Sequence, residues 1–197
     1  MTILVITTGG TIGAMPYKDL KRPPKISIMP AKGQDFVRTA LQKIPGIKTR
    51  SVSLEPRDSS FVDDNYRQGI LDIIGKSPEA MVLITHGTDT LLQTAEFFYR
   101  QYAVQHALKD KTIILTGAMV ALSCGPESDG YLNLGFALRQ LDQGQISRGV
   151  HIVLCDYQDA DARTGWQPRL YRFEPGRYEK LYDPDDGRRS RIVPANR

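Results

Sequence analysis

The chain has 197 residues, 41% of them hydrophobic and 24% charged, proportions that suit a folded soluble protein and argue against disorder and membrane insertion. That length fits one substantial domain rather than two. Lysine and arginine outnumber the acids by 26 to 22, but Arg188, Arg189, Arg191 and Arg197 crowd the C-terminal end, which fits a solvated basic tail better than a nucleic-acid groove interleaved with aromatics. Cys124 and Cys155 have neither metal-ligand spacing nor the density of a disulfide scaffold, so both are expected as reduced thiols. The start carries no basic segment, long apolar core or small-residue cleavage signal, and no later stretch reaches bilayer length, so the cytoplasm is the expected compartment.

In chain order, Ile3-Leu4-Val5-Ile6 is a short apolar run stopped by glycine, the pattern of a strand buried on both faces. Residues 14–30 follow, with Pro16, Pro23, Pro24 and Pro30 among several basic residues, a composition that opposes regular structure and predicts a mobile flap. A helical pattern at Phe36, Val37, Ala40, Leu41 and Ile44 leads into a weaker alternating strand from Ile47 to Leu54. Ile70, Ile73 and Ile74 mark a second helix before the run Met81 to Ile84. A third helix spans Leu91 to Tyr102, the next strand is Thr112 to Leu115, and a fourth helix runs through Leu132, Ala137 and Leu141 to a strand at Gly149 to Leu154. Beyond Trp166 no sustained period is visible, and the chain is expected to wrap irregularly. Alternating strands and helices predict a single doubly wound, largely parallel α/β sheet with helices on both faces. The expected division is an α/β domain at 1–175 and an irregular basic tail at 176–197.

Two turns stand out: Thr7-Thr8-Gly9-Gly10-Thr11-Ile12-Gly13 after the first strand, and Thr85-His86-Gly87-Thr88-Asp89-Thr90 after the third. Both fall at the carboxyl ends of strands, where open α/β sheets bind ligands. A threonine hydroxyl needs a base to take its proton and donors to stabilise an oxyanion, and Gly9, Gly10 and Gly87 allow backbone N–H groups to approach a ligand closely. Thr11 and Thr88 are therefore expected to face one small pocket. Each residue also has a plainer role open to it. Thr11 could simply occupy a polar turn, Asp89 could cap the following helix, and His86 could be a packing residue as readily as a general base. A nucleotide site is disfavoured, because the dinucleotide fingerprint needs glycine where Thr8 stands and no Walker ending follows.

Taken as a pair, Thr-Gly-Gly-Thr-Ile and His-Gly-Thr-Asp-Thr strongly resemble the bacterial-type L-asparaginase family. Asp58-Ser59-Ser60, Thr116-Gly117-Ala118-Met119 and Ser128-Asp129-Gly130-Tyr131-Leu132-Asn133-Leu134 extend the similarity, which runs from Thr2 to about Glu174 and looks more like the short, single-domain members. The resemblance implies hydrolysis of the side-chain amide of asparagine, or sometimes glutamine, without cofactor or metal. It implies Thr11 as nucleophile, Tyr17 polarising it, Thr88 opposite and Asp89 on the substrate ammonium. Ser59 and Ser60 are then expected at the α-carboxylate, with Gly10, Gly87 and Ala118 supplying backbone contacts. It also implies a small amino-acid amide as partner and a homo-oligomer, dimer or tetramer, with neither nucleic acid nor membrane.

Two positions depart from the family pattern. Val120 stands where arginine usually follows Gly-Ala-Met, and the register of the family lysine falls near Gly165, Trp166 and Gln167, with Arg163 and Arg169 flanking the gap. Arginine stays protonated and cannot relay a proton as a tuned lysine can. An amino-acid-binding or regulatory module with weak or no amidase activity is thus the alternative expectation.

Overall fold

In the computed structural model, the described residues are 1–15, 29–30, 35–156 and 167–175. The apolar run of the first strand is continuous because both of its faces are covered. β1 (Thr2–Gly9) lies inside the sheet, and Ile3, Leu4, Val5 and Ile6 are wholly buried. Leu4 and Ile6 point toward α2 (Asp64–Lys76) and α3 (Leu91–Val104), while Ile3 and Val5 point toward α1 (Phe36–Gln42) and α4 (Asp129–Gln143). Among the described strands β4 (Lys48–Arg57) has a neighbour on one side only, and its alternating, half-buried pattern follows from that edge position.

The remaining strands are β5 (Met81–Thr85), β6 (Thr112–Thr116), β7 (Gly149–Asp156) and β8 (Gln167–Arg172), giving the order β4-β1-β5-β6-β7-β8. Within this six-stranded sheet the described pairings are parallel except β7 with β8. The doubly wound α/β architecture expected from the sequence is present. Two expectations need correction. The stretch after Trp166 is not irregular throughout: Gln167–Arg172 forms an antiparallel edge strand, opposite Asp156 to His151. Its half-exposed residues leave only a faint apolar alternation for a sequence reading to detect. The flap is not wholly without regular structure either, because β2 (Ala14–Met15) pairs antiparallel with β3 (Met29–Pro30) at its two ends. The interior of the flap, including Tyr17, and the tail at 176–197 lie outside the described residues.

Chain direction explains where a ligand can bind. From β1 the chain passes through α1 to β4 on one side, then through α2 to β5 on the other side of β1. The connections diverge between β1 and β5, which opens a crevice at their carboxyl ends. Both threonine turns emerge there. Caps hold the helices in register: Asp35 accepts from Arg38 N at 2.8 Å, Asp63 from Tyr66 N at 2.8 Å and Ser128 from Gly130 N at 3.0 Å. Cys124 is exposed and Cys155 buried.

Candidate active site

The first turn is pinned from two sides. Thr8 Oγ1 donates to Thr85 O at 2.8 Å, joining the ends of β1 and β5, and Gly10 N donates to Arg57 O at 3.0 Å, joining β1 to β4. Tyr66 reinforces the second link by donating to Glu55 O at 2.8 Å, with Thr8 O at 3.3 Å from the same hydroxyl. Burial pushes the Tyr66 phenol up to about 12, so it remains a donor across the physiological range.

Gly10 has φ 74°, and a β-carbon placed on it would lie 2.4 Å from both N and Cα of Gly87. The two predicted turns therefore meet backbone to backbone, which only glycine permits here. Gly87 in turn sits against Ser59, since a β-carbon on it would fall 2.5 Å from Ser59 Oγ. A third contact brings in β6: a β-carbon on Gly117 would stand 2.8 Å from His86 O and 3.2 Å from Thr88 Cγ2. Turns from β1, β4, β5 and β6 thus converge on one place.

Thr11 begins the 3-10 turn Thr11–Gly13 and is 9% exposed. Thr88 is half-buried and Asp89 exposed at the outer end of the second turn. Asp89 does not cap α3. Thr90 is the capping residue, and its hydroxyl donates to Ser59 O at 2.6 Å, tying the β4 and β5 turns together, instead of bonding the helix. Partial desolvation, and then the like charge of Asp58, raise the Asp89 carboxyl above its ordinary value. A cationic group placed between the two acids would relieve both effects.

Ser59 is buried, whereas Ser60 is exposed and donates its hydroxyl to Asp58 Oδ1 at 2.8 Å, with its N–H on the same oxygen at 2.9 Å. Ala118 is wholly buried, in the cluster that holds Ile12, Leu122 and Leu134. Of the residues near the missing lysine, Gln167 opens β8 opposite Asp156 and Arg169 pairs with Leu154. Arg163, Gly165 and Trp166 lie outside the described residues.

Residues of the Ser128 to Leu134 motif have supporting roles that the motif itself does not state. Asp129, fully buried, accepts from Val120 N at 2.8 Å and from Met119 N at 3.1 Å, while Asn133 Nδ2 donates to Gly117 O at 3.0 Å and Ser128 Oγ to Val120 O at 2.6 Å. Together they fix the β6 turn on the start of α4. The Ser128-Asp129 pair at a helix start was the available signal, but capping alone would explain it. Because the buried Asp129 satisfies two partly buried N–H donors, Asp129→Ala should lower stability by about 1–3 kcal/mol in urea unfolding.

His86 is wholly buried and both ring nitrogens are engaged. Nδ1 lies 2.8 Å from Gly87 O, so it carries the proton; Nε2 then accepts from Thr94 Oγ1 at 3.0 Å, and Thr94 accepts from Arg67 Nε at 3.0 Å. This chain holds the Gly87 carbonyl in place from α2 and α3. Burial lowers the His86 imidazole to about 4, with Arg67 adding to the effect against the Gly87 hydrogen bond. It is a neutral positioning group rather than the general base. The unfolded chain binds this proton near pH 6.5 and the folded chain only near pH 4. Stability from this group is therefore complete above pH 6.5 and falls by about 3 kcal/mol on acidification to pH 4. His151 is shifted the same way, so the measurement is a comparison: the stability-versus-pH slope between pH 4 and 6.5 should be shallower in His86→Gln than in the parent.

Among the described residues no cluster of His, Cys, Asp and Glu is arranged to hold a metal ion, and no helix is long and apolar enough to cross a membrane. The fold and its turns define an open α/β protein with a threonine-lined crevice at the switch point. Residues 2–163 match the family model for the asparaginase N-terminal domain, and the chain belongs to that family. It is 31% identical over 163 residues to a glutaminase-asparaginase of Acinetobacter glutaminasificans, an overlap covering 78% of this chain and 46% of that protein. The chain thus spans about half the length of this relative. Among solved structures it resembles L-asparaginase I of Vibrio cholerae, with a TM-score of 0.59 and 24% identity over 87% of this chain and 45% of that one. It also resembles the thermostable L-asparaginase of Thermococcus kodakarensis, with a TM-score of 0.57 and 23% identity over 77% and 43% of the two chains. A probable cytoplasmic L-asparaginase of Campylobacter jejuni gives a TM-score of 0.57 and 24% identity over 79% and 45%.

Proposed function

We propose that the protein is an L-asparaginase-type amidohydrolase acting on the side-chain amide of asparagine, glutamine or a related ω-amide. The observation that carries this is the backbone contact of Gly10 with Gly87, which sets the Thr11 and Thr88 turns beside one another. Thr11 Oγ attacks the amide carbon, the C–N bond breaks as the hydroxyl proton passes to the leaving nitrogen, and ammonia departs from an acyl-threonine ester. Water then attacks the ester carbon, the C–O bond to Thr11 breaks, and the acid and the hydroxyl are restored. Tyr17 polarises Thr11, and Thr88 faces the substrate amide across the pocket.

Charge supports the orientation of the substrate. Asp89, pressed by Asp58, receives the α-ammonium, and Ser59 and Ser60 receive the α-carboxylate, the latter by exchanging its bond to Asp58. Backbone groups of Gly10, Gly87 and Ala118 complete the contacts. The working form is a cytoplasmic homo-oligomer, dimer or tetramer, built on an α/β domain at 1–175 with a basic tail, and a light-scattering mass equal to one chain would contradict the assembly.

A second reading is favoured by the absence of lysine at positions 165–167: an amino-acid-binding module that has lost efficient chemistry. Ammonia release from asparagine, glutamine and other ω-amides, paired with calorimetry of aspartate binding, separates the two. Turnover supports the hydrolase. Binding without turnover supports the module, and neither would overturn both.

A further inference from the structure

The carboxyl end of the sheet carries a second polar feature, on the face covered by α1 and α4. Ser53, Thr7, Thr85 and Thr116 are register partners across β4, β1, β5 and β6, and thus form a row of hydroxyls on one face. Thr116 Oγ1 donates to Val153 O at 2.8 Å. Thr85 is wholly buried, yet its hydroxyl has no hydrogen-bond partner among the described residues. A buried unsatisfied hydroxyl is costly, and such exceptions often mark the place of an absent ligand.

Thr85 lines a cavity of about 230 Å³ together with Thr7, Ser53 and Asp35. Asp35 keeps acceptor capacity there. One of its oxygens accepts from Arg38 N at 2.8 Å and the other from Ser53 Oγ at 3.0 Å, out of about four lone-pair sites on a carboxylate. No described lysine, arginine or histidine lines this cavity, and its remaining wall includes Phe36 and Val37. One anion, three hydroxyls and an apolar wall suit a cation with hydrogen-bond donors and a short hydrocarbon body. The space is also larger than a bare ion needs.

We infer that this cavity is a binding site for a small primary alkylammonium ion, its head on Asp35 and the hydroxyls of Thr85, Ser53 and Thr7, its chain against Phe36 and Val37. Thr11, Ser59, Thr88 and Asp89 do not line it, so it is separate from the proposed amide pocket. Gly9 and Gly13, which bracket the Thr11 turn, do form part of its wall. Occupancy is therefore placed to bear on the turn that carries the proposed nucleophile.

The test is calorimetry and amide-resonance titration of the full chain with n-butylammonium chloride, against butanol and sodium butyrate at matched ionic strength. Saturable one-to-one binding of butylammonium alone is expected, moving the resonances of Asp35, Phe36 and Thr85. Asp35→Asn, which keeps a capping side chain, should weaken it roughly tenfold or more, as loss of a charge-assisted bond does. Thr85→Val should weaken binding several-fold and raise the melting temperature, because it removes the orphan hydroxyl with little change of shape. Should Asp35→Asn fail to fold, Thr85→Val decides. Equal binding of butanol, no saturable binding, or unchanged affinity in these variants would overturn the inference. So would binding abolished by Asp89→Asn, which would place the ion in the amide pocket. Thr11→Ala should retain full affinity, so the site stands or falls independently of the hydrolase proposal.

Discussion

Thr11→Ala should reduce ammonia release by roughly a thousandfold or more while leaving urea stability within about 1 kcal/mol of the parent, because it deletes the attacking oxygen and little else. Thr11 lies at the first position of a short 3-10 turn whose course is set by its neighbours. Gly10 is bonded to Arg57, Thr8 is bonded to Thr85, and Ile12 is packed into the core beneath α1 and α4. Those anchors persist in the variant, so the proposed pocket should keep its affinity for aspartate. The useful readout is the split between the two measurements, with turnover lost and product binding retained. Turnover that survived at parental rates would remove Thr11 from the chemistry.

Gly10→Ala should produce a large structural effect for a single methyl group at the site. Two costs add. A residue other than glycine at φ 74° carries about 1–2 kcal/mol of steric strain, and a β-carbon 2.4 Å from the Gly87 backbone must force the turns apart, at about 1–3 kcal/mol more. A loss of about 2–5 kcal/mol in urea unfolding is expected, together with loss of aspartate binding and turnover. Gly46→Ala supplies the control. Gly46 has φ 83° but nothing within 4 Å of its β-carbon position, so that variant should show only the conformational term and full activity. Equal effects of the two substitutions would mean that the contact between the turns contributes nothing.

The strands inside the sheet and all four long helices were legible in the sequence because their patterns come from burial on known faces. Ile3 to Ile6 is apolar throughout since both layers cover it, and Ile70, Leu71 and Ile74 repeat at helical spacing since one stripe of α2 is covered. β8 was not legible, because an edge strand beside β7 needs few apolar residues and Tyr171 is its only buried one. At the site, glycine in the two turns announced close backbone approach, and the observed partner of Gly10 is the other turn itself. The supporting shell could not be read in the same way. Thr94 and Arg67 look like ordinary polar positions on helices, and their roles appear only when α2 and α3 bring them to His86. Asp89 illustrates the opposite case: local rules favour it as a helix cap, and the structure gives that place to Thr90, whose hydroxyl reaches across to Ser59 instead. The orphan hydroxyl of Thr85 is likewise invisible to pattern, since a threonine at the end of a buried strand ordinarily finds a carbonyl, as Thr116 does.

A crystal structure of the full chain soaked with L-aspartate tests most directly whether the turns of β1 and β5 build a single amino-acid site. The expected result is one aspartate in the crevice between Gly10 and Gly87, its ammonium on Asp89, its α-carboxylate at the Ser59 turn, and its side-chain carboxyl between the hydroxyls of Thr11 and Thr88. Aspartate bound elsewhere, or a crevice in which the Thr11 and Thr88 hydroxyls contact no part of the ligand, would contradict it.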